Sequence, residues 1–99
     1  MNKIEHLLAT FAEELAETQQ SIGKAQRFGA KDGHPEGSTT NAQDIEKEFI
    51  EAVAVRDMLR DLGVLTRPGN SKEIYDNKKA RVLRYMEYAK RNGTLASLA

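Results

Sequence analysis

Apolar side chains recur three and four residues apart along most of this chain, and nowhere do they alternate in the period of two that marks a strand. Ile4, Leu8, Phe11, Leu15, Ile22 and Ala25 place a first helix at about residues 2–28, stopped by Gly29. The segment "GAKDGHPEGST" then packs three glycines and a proline into eleven residues and reads as a loop spanning about 29–40. A second helix is predicted at 41–62. Thr40 with Gln43 fits a capping box, Asn41 also fits as a simple cap, and Gly63 ends the helix. A second turn covers 63–70. The third helix, 71–92, starts at Asn70 or Ser71 with Glu73 reaching back, and stops at Gly93. The tail "TLASLA" is expected to fray or to dock on a partner. The pattern predicts a single all-α domain over 1–99, with three main helices.

Finer spacing picks out two seams. On the first helix Leu7, Phe11, Glu14, Thr18, Ser21, Ala25 and Phe28 follow a 4,3,4,3,4,3 rhythm. On the second, Ile45, Glu48, Ala52, Val55, Leu59 and Leu62 follow 3,4,3,4,3. Such rhythms face a neighbouring helix. Each seam holds a glutamate where an apolar residue belongs, and each glutamate has a second acid three residues on, Glu17 and Glu51. Unpaired carboxylates turned toward a helix interface are costly and repel one another. Two Arg or Lys side chains would offset half of that charge; a hard divalent cation with oxygen ligands, such as Mg²⁺, does so with one ion. The same spacing also describes edge glutamates on a solvated stripe. Glu5, Glu13, Glu46, Asp57 and Asp61 read as ordinary surface charge.

Composition narrows the classes of function. The 99 residues carry no cysteine, which removes disulfides and thiol chemistry, and the 39% apolar content fits a globular domain. So short a chain buries a limited core, and oligomerisation is a common remedy. No apolar run approaches a membrane span and no signal-peptide pattern opens the chain, so a cytoplasmic protein without membrane partners is expected. Net charge is zero, which argues against nucleic-acid binding, but the charge is unevenly spread. Residues 1–62 hold 7 Lys/Arg against 12 Asp/Glu, a net of −5; residues 63–99 hold 8 against 3, a net of +5. On the third helix Arg81, Arg84, Tyr88 and Arg91 lie opposite a Tyr75, Val82, Met86 and Ala89 face. This basic side is either simply solvated, or Lys78, Lys79 or Arg81 reaches ligand phosphates. His6 has no partner at a telling spacing, His34 sits in the "DGHPEG" loop either as a ligand or base or as an ordinary loop residue, and no Gly-rich phosphate loop or H-E-x-x-H motif occurs.

The stretches "LATFAEELAETQQSIGKAQRFG", "HPEG" and "TNAQDIEKEFIEAVAVRDML" resemble the MazG-like all-α nucleoside triphosphate pyrophosphohydrolases, in particular the short forms of tailed bacteriophages. That family's pattern is E-E-x-x-E on one helix and E-x-x-D on the next. Glu13-Glu14-Leu15-Ala16-Glu17 matches the first; Glu48-Phe49-Ile50-Glu51 matches the second except at its last position. Lys24 and the run from Arg27 to Gly29 also fit. The resemblance spans residues 4–62 well and 72–93 loosely, the latter resting on "RYMEYAKRNG". It implies cleavage of the α–β bond of a nucleoside triphosphate to a monophosphate and pyrophosphate. It implies Mg²⁺, with Mn²⁺ as a substitute, held by Glu14, Glu17, Glu48 and Glu51. It also implies a helical hairpin completed to a four-helix-type bundle in a homo-oligomer, a dimer or dimer of dimers. Lys24, Lys78, Lys79 and Arg81 are the candidate substrate-binding cations. Two positions depart from the pattern, Glu51 for Asp and Arg56 for an apolar residue. A non-catalytic nucleotide-sequestering protein on the same scaffold is the alternative, and a purely structural helical oligomer a third.

Overall fold

The computed structural model describes residues 1–96, and every element among them is helical. Helix α1 is Lys3–Phe28, α2 is Asn41–Asp61 and α3 is Ser71–Arg91. The chain divides into two compact units, the first Met1–Thr66 and the second beginning at Arg67. No helix among the described residues is long and apolar enough to cross a membrane.

The first unit is a hairpin of α1 packed on α2. Asn2 caps α1, its side-chain oxygen accepting the Glu5 N–H at 2.8 Å. Gly29 ends that helix at φ 96°, a left-handed conformation that glycine adopts without a Cβ penalty, and its N–H returns to the Ala25 carbonyl. Of the two candidate caps for α2, Thr40 takes the role. Its hydroxyl accepts the Gln43 N–H at 3.1 Å, and the Gln43 side chain accepts the Thr40 N–H at 2.9 Å. Asn41 does something the sequence did not foretell. Its buried amide donates to the Gly29 carbonyl at 2.9 Å and ties the start of α2 to the end of α1. The loop closes in the same place, with the N–H groups of Asn41 and Ala42 donating to the carbonyls of Asp32 and Ala30. A Cβ at Gly33 would collide with the Thr39 carbonyl oxygen, so this closure needs glycine there.

Within the hairpin, Leu7 and Thr18 of α1 and Ala52 and Leu59 of α2 are buried, and Leu59 is completely covered. All four belong to the two seams. Phe11, Glu14, Ser21, Ala25, Ile45, Glu48 and Val55 are half-buried along the same lines. Phe28, assigned to the seam by its spacing, is 63% exposed instead. A straight helix drifts about 20° per heptad against a strict seven-residue repeat. Three heptads separate Leu7 from Phe28, and the accumulated rotation of about 60° carries the ring out of the interface. Leu62 likewise lies half-open at the end of α2.

The second unit is α3 and its flanks. Neither Asn70 nor Ser71 caps it through a side chain. The turn is closed by the Ser71 N–H to the Pro68 carbonyl and by Arg67 Nε donating to the Ser71 hydroxyl at 3.0 Å. Gly93 adopts φ 77° after the last turn, and Thr94 and Leu95 both donate to the Ala89 carbonyl. Residues 97–99 of the expected apolar tail lie outside the described residues.

Candidate metal centre

Residue numbers rise along α1 as they fall along α2. The Gly29–Asn41 hydrogen bond fixes that register at one end of the hairpin. Further in, about two to three turns along α2 and three to four along α1, it brings Glu14 and Glu17 of α1 against Glu48 and Glu51 of α2. Each of the four offers a carboxylate oxygen, and these oxygens all lie within 4.8 Å of one another. The small Ala52, one turn past Glu48 and fully buried, lets the helices approach beside the acids. On α1 Thr18 follows Glu14 in the seam, and its hydroxyl spends its proton on the Glu14 backbone carbonyl at 2.9 Å. That hydroxyl therefore donates nothing to the carboxylates.

The electrostatics are those of crowded like charges. Removal from water raises the Glu14 carboxyl above its ordinary range, with the charges of Glu51, Glu48 and Glu13 adding to it. Glu17 is raised chiefly by the charge of Glu14, then by desolvation and by Glu48. Two oxygens, Glu14 Oε2 and Glu48 Oε2, are buried without any hydrogen-bond partner. A buried acceptor left so is costly, and two in one cluster mark a place where a positive group belongs.

One cation answers in part, and it stands outside both seams. Lys47 Nζ lies 2.9 Å from Glu51 Oε1 and 3.8 Å from Glu48 Oε1. Its own proton is held more firmly as a result, mainly through the hydrogen bond to Glu51. The signal was present in the sequence as a lysine four residues before Glu51 and adjacent to Glu48.

The donor set suits a hard divalent ion. All four donors are carboxylate oxygens, without nitrogen or sulfur, which favours Mg²⁺, Mn²⁺ or Ca²⁺ over softer metals. Trans oxygens on Mg²⁺ lie about 4.2 Å apart and on Ca²⁺ about 4.6–5.2 Å apart. Carboxylates already gathered within 4.8 Å need only small side-chain adjustments to meet such an ion.

The remaining candidates separate by unit. Lys24 stands seven residues beyond Glu17, about 10 Å along the helix axis. With Arg27, Phe28, His34, Asn41 and Asp44 it lines a cleft of about 500 Å³ where the loop meets both helices. His34 is occupied locally, its Nδ1 accepting the Glu36 N–H at 3.1 Å. Lys78, Lys79 and Arg81 belong to the second unit. There Lys79 sits 4.5 Å over the Tyr75 ring, and Arg81 shares a shallow surface cleft with Ile74, Asn77 and Arg84. Arg56 pairs with Asp57 at 3.3 Å on the surface of α2. Glu5, Glu13, Glu46, Asp57 and Asp61 are exposed. No family model, curated protein or solved structure matches the chain. The functional reading therefore rests on the cluster itself and on the motif that carries it.

Proposed function

We propose that the protein is a divalent-cation-dependent nucleotide pyrophosphohydrolase, converting a nucleoside triphosphate or related phosphorylated nucleotide and water to the monophosphate and pyrophosphate. The observation that carries this reading is the pair of buried, unpartnered oxygens on Glu14 and Glu48 inside a four-carboxylate cluster. The resemblance to the MazG-like pyrophosphohydrolases, centred on those four residues, supplies the reaction class.

In this reading Glu14, Glu17, Glu48 and Glu51 hold Mg²⁺ or Mn²⁺. The bound ion would neutralise triphosphate charge and acidify a water molecule. The glutamates also have their own part. A carboxylate of the cluster left free of the ion would be available to accept the proton of the attacking water. Lys24, on the same unit as the acids, is assigned to the phosphates as a cationic donor. The functional form is a homo-oligomer acting in the cytoplasm. Leu8, Leu15 and Ile22, seven residues apart on α1 and each more than 40% exposed, supply an apolar stripe for a second copy. Light scattering at micromolar concentration tests that element, and a compact monomer refutes it.

One observation favours a second reading, a nucleotide-sequestering protein that does not hydrolyse. Glu51, which replaces the family's Asp, is engaged by Lys47 rather than left free. Pyrophosphate release across a panel of nucleotides with Mg²⁺ separates the readings. Release supports the enzyme, binding without release supports sequestration, and neither leaves a structural helical protein.

A further inference from the structure

We propose that Lys47 is a tethered counter-ion: it holds Glu51 in the metal-free protein and passes to the ligand's phosphates when a divalent ion takes the cluster. The inference rests on reading the four glutamates as a metal site. It assigns a role to a side chain that neither the acidic motif nor its spacing singles out.

Glu48 shows the division of labour. Its Oε1 faces the Lys47 ammonium at 3.8 Å, while its Oε2 is buried with no partner. Lys47 thus serves the outer side of the cluster, at Glu51 Oε1 and Glu48 Oε1, and leaves the inner oxygens of Glu48 and Glu14 unmet. It is the one cation ion-paired with these acids among the described residues. Four carboxylates against one ammonium leave a formal charge of −3. The lysine therefore relieves the cluster without satisfying it.

The pair is also easy to break. Its lysine side chain is 66% exposed. Lysine preceding glutamate by four residues is the weaker orientation of a helical ion pair, and exposed pairs of this kind contribute only a few tenths of a kcal/mol. A divalent ion drawn to the inner oxygens places two positive charges close to the ammonium, and their repulsion exceeds so small an attraction. Lysine suits the exchange better than arginine, because its compact ammonium turns on a flexible four-carbon stem. Released from Glu51 but anchored beside Glu48, it meets whatever anion the metal carries. The long acid at 51 has a reason here too, since its extra methylene extends the reach toward Lys47.

The test uses the full chain and Lys47→Met, which keeps the length of the side chain and removes its charge. Circular dichroism establishes that the variant is folded, as the exposure of Lys47 leads one to expect. Calorimetry with Mn²⁺ alone, then with inorganic tripolyphosphate at saturating Mn²⁺, reads the two halves of the exchange. The variant should bind Mn²⁺ about twofold more tightly, about 0.4 kcal/mol, and tripolyphosphate about tenfold more weakly, about 1.4 kcal/mol. Equal Mn²⁺ affinities would make Lys47 a surface spectator and overturn the inference while leaving the metal site intact. Tighter Mn²⁺ binding with tripolyphosphate affinity unchanged or raised would also overturn it, because the ammonium then never reaches phosphate. Failure of both proteins to bind Mn²⁺ would overturn the metal-site reading and the inference together.

Discussion

Helices α2 and α3 have the same length, 21 residues, and end alike, with basic residues in the last turn and a left-handed glycine beyond. Their interiors differ. α2 buries Ala52 and Leu59 against α1; α3 buries no residue at all. α2 also carries half of an unsatisfied acidic cluster, whereas the charges of α3 are solvated. The contrast shows where a fold can tolerate a costly site. A helix held by tertiary packing can carry repelling carboxylates, because the packing that creates the burial also offsets the repulsion. A helix held by local terms alone has no such reserve, since most helical stability in proteins comes from packing an amphipathic face.

The largest effect should come from removing the packing itself. Leu59→Ala empties a fully covered position, and comparable truncations cost about 2–5 kcal/mol. Met86→Ala on the apolar side of α3, where the side chain is 36% exposed, should change stability by about 0.5 kcal/mol or less. Urea unfolding of both variants checks the contrast. Similar losses in the two would show that α3 is as firmly packed as α2.

The next effect sharpens the comparison through charge. The raised carboxyls of Glu14 and Glu17 keep protons in the folded state that the unfolded chain releases near the ordinary value of 4.5. The folded state therefore binds more protons from about that pH up to the raised folded values. Stability falls as pH rises through that window and levels off above it. In the presence of a chelator, the melting temperature should decrease from pH 4.5 toward neutrality. Glu14→Gln should reduce that decrease, raise metal-free stability at neutral pH and abolish Mg²⁺-dependent turnover. Added Mn²⁺ should flatten the wild-type profile. A melting temperature that rises with pH in metal-free wild type would refute the clustered-charge picture.

What the sequence disclosed follows from the same contrast. Gly29, Gly63 and Gly93 marked the helix ends because a left-handed residue is a local requirement, and all three have positive φ. The seam acids were visible because helical periodicity is also local. The choice of Thr40 over Asn41 as cap was not visible. It turns on Asn41 meeting Gly29, a contact across twelve residues that no local pattern encodes. Phe28 was misplaced because a seven-residue repeat overstates how long a straight helix keeps one face inward. Lys47 was missed because it stands outside the seam, and only its side-chain reach brings it to the acids.

The smallest effect concerns an ion pair on the surface of α3. Lys72 Nζ lies 2.6 Å from Asp76 Oδ2, four residues on, the shortest ion pair among the described residues, yet the lysine side chain is 88% exposed. Short distance does not make such a pair strong, because water competes for both charges and two long side chains must be held still. Its orientation is again the weaker one, and Lys72 lies in the first turn, where the helix dipole disfavours positive charge. Asp76→Asn should therefore lower stability by about 0.3 kcal/mol at low salt. The difference should vanish near 1 M salt, where the screening length is about 3 Å. By contrast, Thr40→Ala removes an uncharged reciprocal cap from α2 and should cost about 1 kcal/mol with little dependence on salt. Hydrogen exchange along both helices at two salt concentrations measures the pair of variants together. A salt-independent loss at Asp76 exceeding that at Thr40 would mean that α3 is held by something other than its own surface.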